Sequence, residues 1–462
     1  MRKMLLLFIA LGCRTAPSVE PVVFEHVELT RLADGVYAAI RRDEPLGLAQ
    51  NANSLFVVTD DGVIVVDAQF TREATLENLR ALRTITTRPV THVVNTHWHD
   101  DHLAGNQVYQ DSFPNVRFIA HADTREDLMQ LGRPNRSGQV RFGPQALARF
   151  QRLLDMGLGI DSTPASPAER EAFRNSIRIF RQYVVENPGF REVLPNSIVN
   201  RSSVISAGSR RIELHWFGRG ATRGDLVVWL PKERVLATGD LVVWPVPFAF
   251  GSHPAEWVQV LDSLAALGPA VLVPGHGPLI RDLAYLETER RMLLAATERA
   301  AAAVARGDTS AVALARSERM DDVRAQVAGT DKWKNLMFDQ FFRVGALTAA
   351  FNDAMSSRTG SSARKSPPLS FSGSSASPER RCTPATTFST VTRGASASTC
   401  IANSHFPRSG PLRVRRYFAV YTASRCSADS LRSSGLFSEP PSAAVGRRTA
   451  CSFTATTATP DS

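Results

Sequence analysis

The sequence predicts an α/β layered fold, and three observations carry that prediction. Short β-branched runs recur, among them SLFVV, VIVVDA, THVVN, DLVVWLP and VLVPG. Stretches of helical periodicity fall between them. Turn signals such as Asp61-Gly62 and Gly268-Pro269 separate the segments. Strands that alternate with helices in this way build sheets covered by helices.

The 462-residue chain has a net charge of +10. Residues 356–462 hold 14 Lys/Arg against 4 Asp/Glu, and the remainder holds 40 of each sign. The body is therefore neutral, and its charge gives no reason to expect a nucleic-acid partner. A small-molecule substrate is expected instead. The cysteines are Cys13, Cys382, Cys400, Cys426 and Cys451. The body thus offers neither a disulfide nor a thiolate nucleophile, and any metal there must be held by His, Asp or Glu.

In chain order, MRKMLLLFIALGC places two cations before a short apolar run that ends in small residues and Cys13. This is the plan of a signal peptide, expected over residues 1–20. It implies export to a bacterial periplasm. ALGC resembles a lipoprotein cleavage box, with Ala10 where leucine is usual, so a lipid on Cys13 is the candidate membrane tether.

A polar spacer leads to VYAAI, the first expected strand, and a hairpin follows around Asp61-Gly62. A helix is expected from about Thr71, with Leu76, Leu79 and Leu82 on one face. THVVN is the next strand. Residues 122–192 read as a helical insertion, in which ALARFQRLLDM and AEREAFRNSIRIFRQYVVE flank a turn-rich DSTPASP. Strands resume with SSVISAG, RIELHWF, DLVVWLP and RVLATGD, then a helix around WVQVLDSLAAL, then VLVPGHG. The main domain is expected over 21–295 and a helical extension over 296–355. Ser and Thr supply 37 of the 107 residues from 356 to 462. That composition cannot bury enough apolar surface to fold, so disorder is expected.

The chemistry concentrates in NTHWHDDH. In an extended segment His97, His99 and Asp101 point to one side, and His102 can turn to a second position. Imidazole and carboxylate are the donors zinc accepts when no thiolate is present.

HxHxDH after a strand resembles the signature of the metallo-β-lactamase-fold hydrolases. The likeness continues through TGD at 238–240 and PGHG at 274–277, in the family's order. It implies a four-layer αββα sandwich with two metals at one edge of the sheets. By this resemblance His97 and His99 hold the first metal, Asp101, His102 and His276 hold the second, and Asp240 bridges them. The cofactor implied is zinc, as two ions or as one tight and one weak, with other divalent metals as alternatives. Asp100 receives no role beyond support.

The family's GHT turn normally gives the first metal a third histidine. Here that turn is Gly220-Ala221-Thr222, so the first site is expected to be weak and the centre asymmetric. His253, in the aromatic loop VVWPVPFAFGSHP, is a candidate extra ligand or substrate contact. Arg219 and Arg223 either meet an anionic substrate group or fix the turn. Trp98, Trp244, Phe248 and Phe250 either form an apolar substrate wall or pack in the core. His215 is expected to be packed rather than ligating.

Two adjacent metals lower the pKa of a shared water and stabilise negative charge on the attacked centre, with Asp101 orienting that water. The expectation is a metallo-hydrolase of a small ester, thioester, lactone or amide. Asp240 resembles the glyoxalase-II-like and lactonase-like branches, whereas dedicated β-lactamases usually have Cys or Ser there. β-Lactam hydrolysis, as main or side activity, is one alternative. A degenerate metal-binding protein, suggested by Ala221, is another, and a mononuclear iron redox enzyme is a third.

Overall fold

The computed structural model describes residues 21–43, 50–208 and 210–358. The expected signal peptide, Cys13 and the expected disordered tail beyond Arg358 lie outside the described residues.

The first sheet follows chain order: β1 (Val22–Phe24), β2 (Val27–Ala33), β3 (Val36–Arg41), β4 (Ser54–Thr59), β5 (Gly62–Val66), β6 (Val90–Val94), β7 (Arg117–Ala120) and β8 (Ser197–Ile198). It is antiparallel up to β5 and parallel from β5 to β8. The spacer before VYAAI is a correction to the sequence reading, because it holds β1 and β2. The two lie at the sheet's edge, and β1 leaves Val22 and Val23 exposed, so no apolar run marks them.

Between these strands lie α1 (Arg72–Arg83), α2 (Asp100–Leu103), α3 (Asn106–Ser112), α4 (Ala122–Asp127), α5 (Arg133–Met156) and α6 (Pro167–Glu186). Helix α1 begins at Thr71, whose side chain accepts from the Ala74 amide, as an N-cap does. Its buried face is Ala74, Thr75, Glu77, Asn78, Ala81 and Leu82, while Leu76 and Leu79 are only half-buried. Of the leucine stripe only Leu82 is fully buried, and small and hydrogen-bonded residues fill the rest of the face that meets the sheet. Helix α6 opens with a capping box between Ser166 and Glu169, which fixes its start.

The second sheet has the order β13-β12-β11-β10-β9. Its strands are β9 (Ser202–Ala207), β10 (Arg210–His215), β11 (Val227–Leu230), β12 (Val235–Val243) and β13 (Val271–His276), with α7 (Pro254–Ala266) before β13. Then come α8 (Ala284–Ala305), α9 (Ala311–Ser317), α10 (Asp321–Ala328), α11 (Lys332–Met337), a π-helical turn over Phe338–Arg343, and α12 (Val344–Arg358). The domain boundary expected at 295/296 falls inside α8, so no linker separates the extension from the sandwich.

Side-chain alternation builds the layers. Leu55, Val57, Ile64 and Val66 point inward against Leu214, Val228, Leu230 and Ala237 of the second sheet. Phe56, Val63 and Val65 point outward against Ala81 and Leu82 of α1 and Tyr109 of α3. On the far side Leu236 and Val242 meet Trp257 and Leu261 of α7, Leu293 of α8 and Phe351 of α12. This is the αββα sandwich. Its two sheets are tied at one edge by Asn53, whose amide donates to Gly275 O at 2.8 Å. The Asn53 side chain donates to Pro274 O at 3.0 Å and Gly277 O at 2.8 Å.

Candidate metal centre

The donors gather at that edge. NTHWHDDH leaves the end of β6 and turns into α2, so His97 and His99 precede the helix while Asp101 and His102 sit in its first turn. Asp240 lies within β12 and His276 ends β13.

Two sub-clusters result. His97 Nε2 and His99 Nδ1 lie 2.9 Å apart, with Asp240 Oδ2 at 3.6 and 4.0 Å from them. His276 Nε2 lies 3.1 Å from Asp101 Oδ2, and Asp240 Oδ1 lies 3.1 Å from His102 Nε2 and 3.5 Å from His276 Nε2. Asp240 therefore turns one oxygen to each group. Gly275 makes room for it, since a Cβ there would stand 2.1 Å from Asp240 Oδ1.

His102 Nε2 and Asp240 Oδ1 are buried and face each other at 3.1 Å without the geometry of a hydrogen bond. Unpaired buried polar atoms are costly, and an ion between them would remove that cost. The donor set is imidazole and carboxylate only, which suits zinc or a similar divalent ion. The residues present therefore fit a divalent metal.

Burial, reinforced by the neighbouring His102, holds His97 well below its usual range. Asp240 goes the other way: burial opposes its ionisation, but the charges of His102, His276 and His97 hold it well below the carboxylate range. Asp101 is lowered likewise against burial, by His102 and His276.

Asp67 supports this cluster without any signal in the sequence. It directly follows β5 in a left-handed conformation at φ 59° and accepts from Thr96 N and Thr96 Oγ1, each at 2.8 Å. His102 Nδ1 lies 2.8 Å from the same carboxylate. That contact fixes the ring so that Nε2 faces the cluster. A lone acid at the end of VIVVDA carried no signal of this.

Asp100 is buried behind the cluster. Arg136 of α5 donates to its Oδ1 at 2.6 Å, and Tyr183 of α6 donates to its Oδ2 at 2.9 Å. Two helices of the insertion thus grip the residue between His99 and Asp101.

The GRGATRGD turn keeps its shape without a histidine. Leu226 N donates to Thr96 O at 2.8 Å. Asp225, also missed from sequence, accepts from Thr222 N and Thr222 Oγ1, each at 2.8 Å. Burial raises its carboxyl to about 6, against those hydrogen bonds. Ala221 is 2% exposed and packs in the apolar core.

Several candidates fall elsewhere. His253 donates its backbone N–H to Gly220 O at 2.8 Å, but its ring lies in the field of Arg219, Glu256 and Arg223 and joins neither cluster. Arg219 pairs with Glu256 and Arg223 with Asp127, which ties both arginines to neighbouring helices. Trp98 meets the edge of His99 at 4.8 Å but is buried with Leu103 and Leu128; it is core rather than open wall. His215 pairs with Glu213 at 2.8 Å and stacks on Phe217.

Residues 48–276 match the family model described as the metallo-beta-lactamase superfamily. A linear primary-alkylsulfatase from Pseudomonas sp. is 25% identical over 249 residues, which are 50% of this chain and 42% of that protein. The chain thus spans less than half of that relative's length. A solved stereoselective inverting sec-alkylsulfatase from Pseudomonas sp. aligns at 18% identity and TM-score 0.48, covering 70% of this chain and 50% of that one. A metallo-beta-lactamase from Pontibacter korlensis aligns at 18% identity and TM-score 0.40, covering 58% of this chain and 99% of that one.

Proposed function

This chain belongs to the metallo-beta-lactamase superfamily of hydrolases, and from that premise we propose that it is a metal-dependent hydrolase of a small ester, thioester, lactone or amide. The observation that carries this reading is Asp240, shared between two clusters of His and Asp donors. His97, His99 and Asp240 Oδ2 would hold one zinc or similar divalent ion, and Asp101, His102, His276 and Asp240 Oδ1 the other. Bound ions of this kind make water a nucleophile near neutral pH and stabilise negative charge on the attacked group.

The chain's own residues set the direction of attack. The side chains of His99 and Asp101 are each 16% exposed, whereas those of His97 and His102 are fully buried. Substrate therefore approaches over His99 and Asp101. Asp101 Oδ2 can accept a hydrogen bond from the attacking water and orient it. Asp67 and Asp100 hold the ligand loop, so little reorganisation accompanies reaction.

With Ala221 in place of a donor, the first group has fewer protein ligands than the second, and we read the centre as asymmetric. The alkylsulfatase relative adds sulfate esters to the candidate substrates. The expected site of action is the periplasm, on the strength of the sequence before residue 21.

The test is hydrolysis by the zinc-supplemented full chain of an aryl ester, a thioester, a lactone, a β-lactam and an alkyl sulfate. Turnover of at least one should fall more than about a hundredfold in His99→Ala, with circular dichroism unchanged. Equal turnover by the variant refutes the assignment.

A further inference from the structure

At the exposed edge of the centre stand apolar rings from the loop after β12 and from the C-terminal extension. Phe248, from the loop after β12, meets His99 edge-on at 5.7 Å and 90°. Its ring lies 5.3 Å from Phe250 and 6.0 Å from Phe341. All three phenylalanines are only partly buried. Single exposed rings are ordinary, but adjoining rings beside a site mark binding surface.

Phe341 lies outside the stretch matched by the family, in the π-helical turn Phe338–Arg343. Such turns insert a residue and shift the helical register, often at functional sites. Here Phe338 and Phe342 are fully buried in the core, while Phe341 turns to Phe248. The backbone fixes the placement: Ala249 N donates to Phe341 O at 2.9 Å. Gly345 permits this approach, since a Cβ there would stand 2.8 Å from Ala249 C and 2.9 Å from Phe250 N.

We propose that Phe341 completes the substrate site, and that with Phe248 it binds an apolar alkyl or aryl group carried by the substrate next to its scissile bond. This rests on the hydrolase reading and narrows its substrate class to esters and related bonds with an apolar arm. Such an arm, lying over the exposed edge of His99, reaches the Phe248–Phe341 pair at once. The extension is then part of the specificity apparatus rather than an addition to the sandwich.

The test is calorimetric titration of linear alkanoates, from acetate to decanoate, into the zinc-loaded full chain. Affinity should rise about twofold to fourfold per added methylene. Phe341→Ala and Phe248→Ala should flatten that slope with zinc content unchanged, and Phe341→Leu, which keeps bulk, should retain most of it. In parallel, Phe341→Ala should raise KM for an aryl octanoate more than for an aryl acetate. No chain-length dependence, or a slope unaltered in Phe341→Ala, overturns the inference even if esters are hydrolysed. A slope that depends on Phe341 in a protein that hydrolyses nothing supports the inference and sinks the reaction reading instead.

Discussion

Tyr183→Phe isolates the grip of the helical insertion on the ligand loop. The substitution removes one oxygen, which donates to Asp100 Oδ2 at 2.9 Å. The remaining ring keeps its stacking on Phe70 at 4.0 Å and 2°. Asp100 is 1% exposed, so no water replaces the lost donor. Burial already raises its carboxyl, against the pull of Arg136 and Tyr183. A hydrogen bond to a buried charged group is worth about 1.5–3 kcal/mol, and that is the expected loss of unfolding free energy. Equilibrium urea unfolding of the full chain, compared at shared m-value, reads it. Pairing the change with Arg136→Met should give a non-additive cycle, because both donors serve one carboxylate. A loss under about 0.5 kcal/mol, below the range for such a bond, refutes the idea that the insertion anchors the loop through Asp100.

Three further outcomes are expected. Ala221→His should raise affinity for the first metal at least about tenfold, since it restores a direct donor; equal affinity in a competition assay argues that the turn does not face that site. Glu289 of α8 is fully buried with neither oxygen hydrogen-bonded, and burial with the charge of Asp240 pushes its carboxyl well above the usual range. Glu289→Met should therefore stabilise the fold by about 1–3 kcal/mol, and a lowered unfolding midpoint contradicts this. Burial, with the nearby Arg219, lowers the His253 imidazole from 6.5 to about 4. The unfolded chain then takes up a proton that the folded chain refuses. Stability from this group is complete above pH 6.5 and is lost on acidification towards pH 4, by roughly 3 kcal/mol at most. His253→Asn should flatten the thermal midpoint over that window, and an unaltered pH profile would show the ring to be solvated.

What the sequence revealed follows from how local each signal was. His97, His99, Asp101 and His102 stand in one short loop, so their approach needed no knowledge of the fold. Asp240 and His276 were found by resemblance through TGD and PGHG, and the structure brings both to the same edge. Asp67 was invisible, because its contact with His102 spans 35 residues and nothing around it marks a special acid. The clamp on Asp100 was hidden for the same reason, with partners 36 and 83 residues away. In α1 the leucines suggested one face; Leu82 does pack there, joined by Ala74, Asn78 and Ala81, and Asn78 finds Ser54 Oγ at 3.1 Å. Arg219 and Arg223 were open between substrate and support, and the structure pairs them with Glu256 and Asp127, partners that no local pattern showed. Phe341 carried no pattern at all, because a π-helical turn changes the register on which periodicity depends.

The metal centre proposed above is asymmetric, with Asp101, His102 and His276 around one position and no donor at Ala221 for the other. Zinc per chain, measured by elemental mass spectrometry after dialysis against graded free zinc, tests it most directly. The expected result is one equivalent retained at limiting zinc and a second taken up only at higher concentration. Two equivalents held equally tightly, or none, would contradict the asymmetric centre.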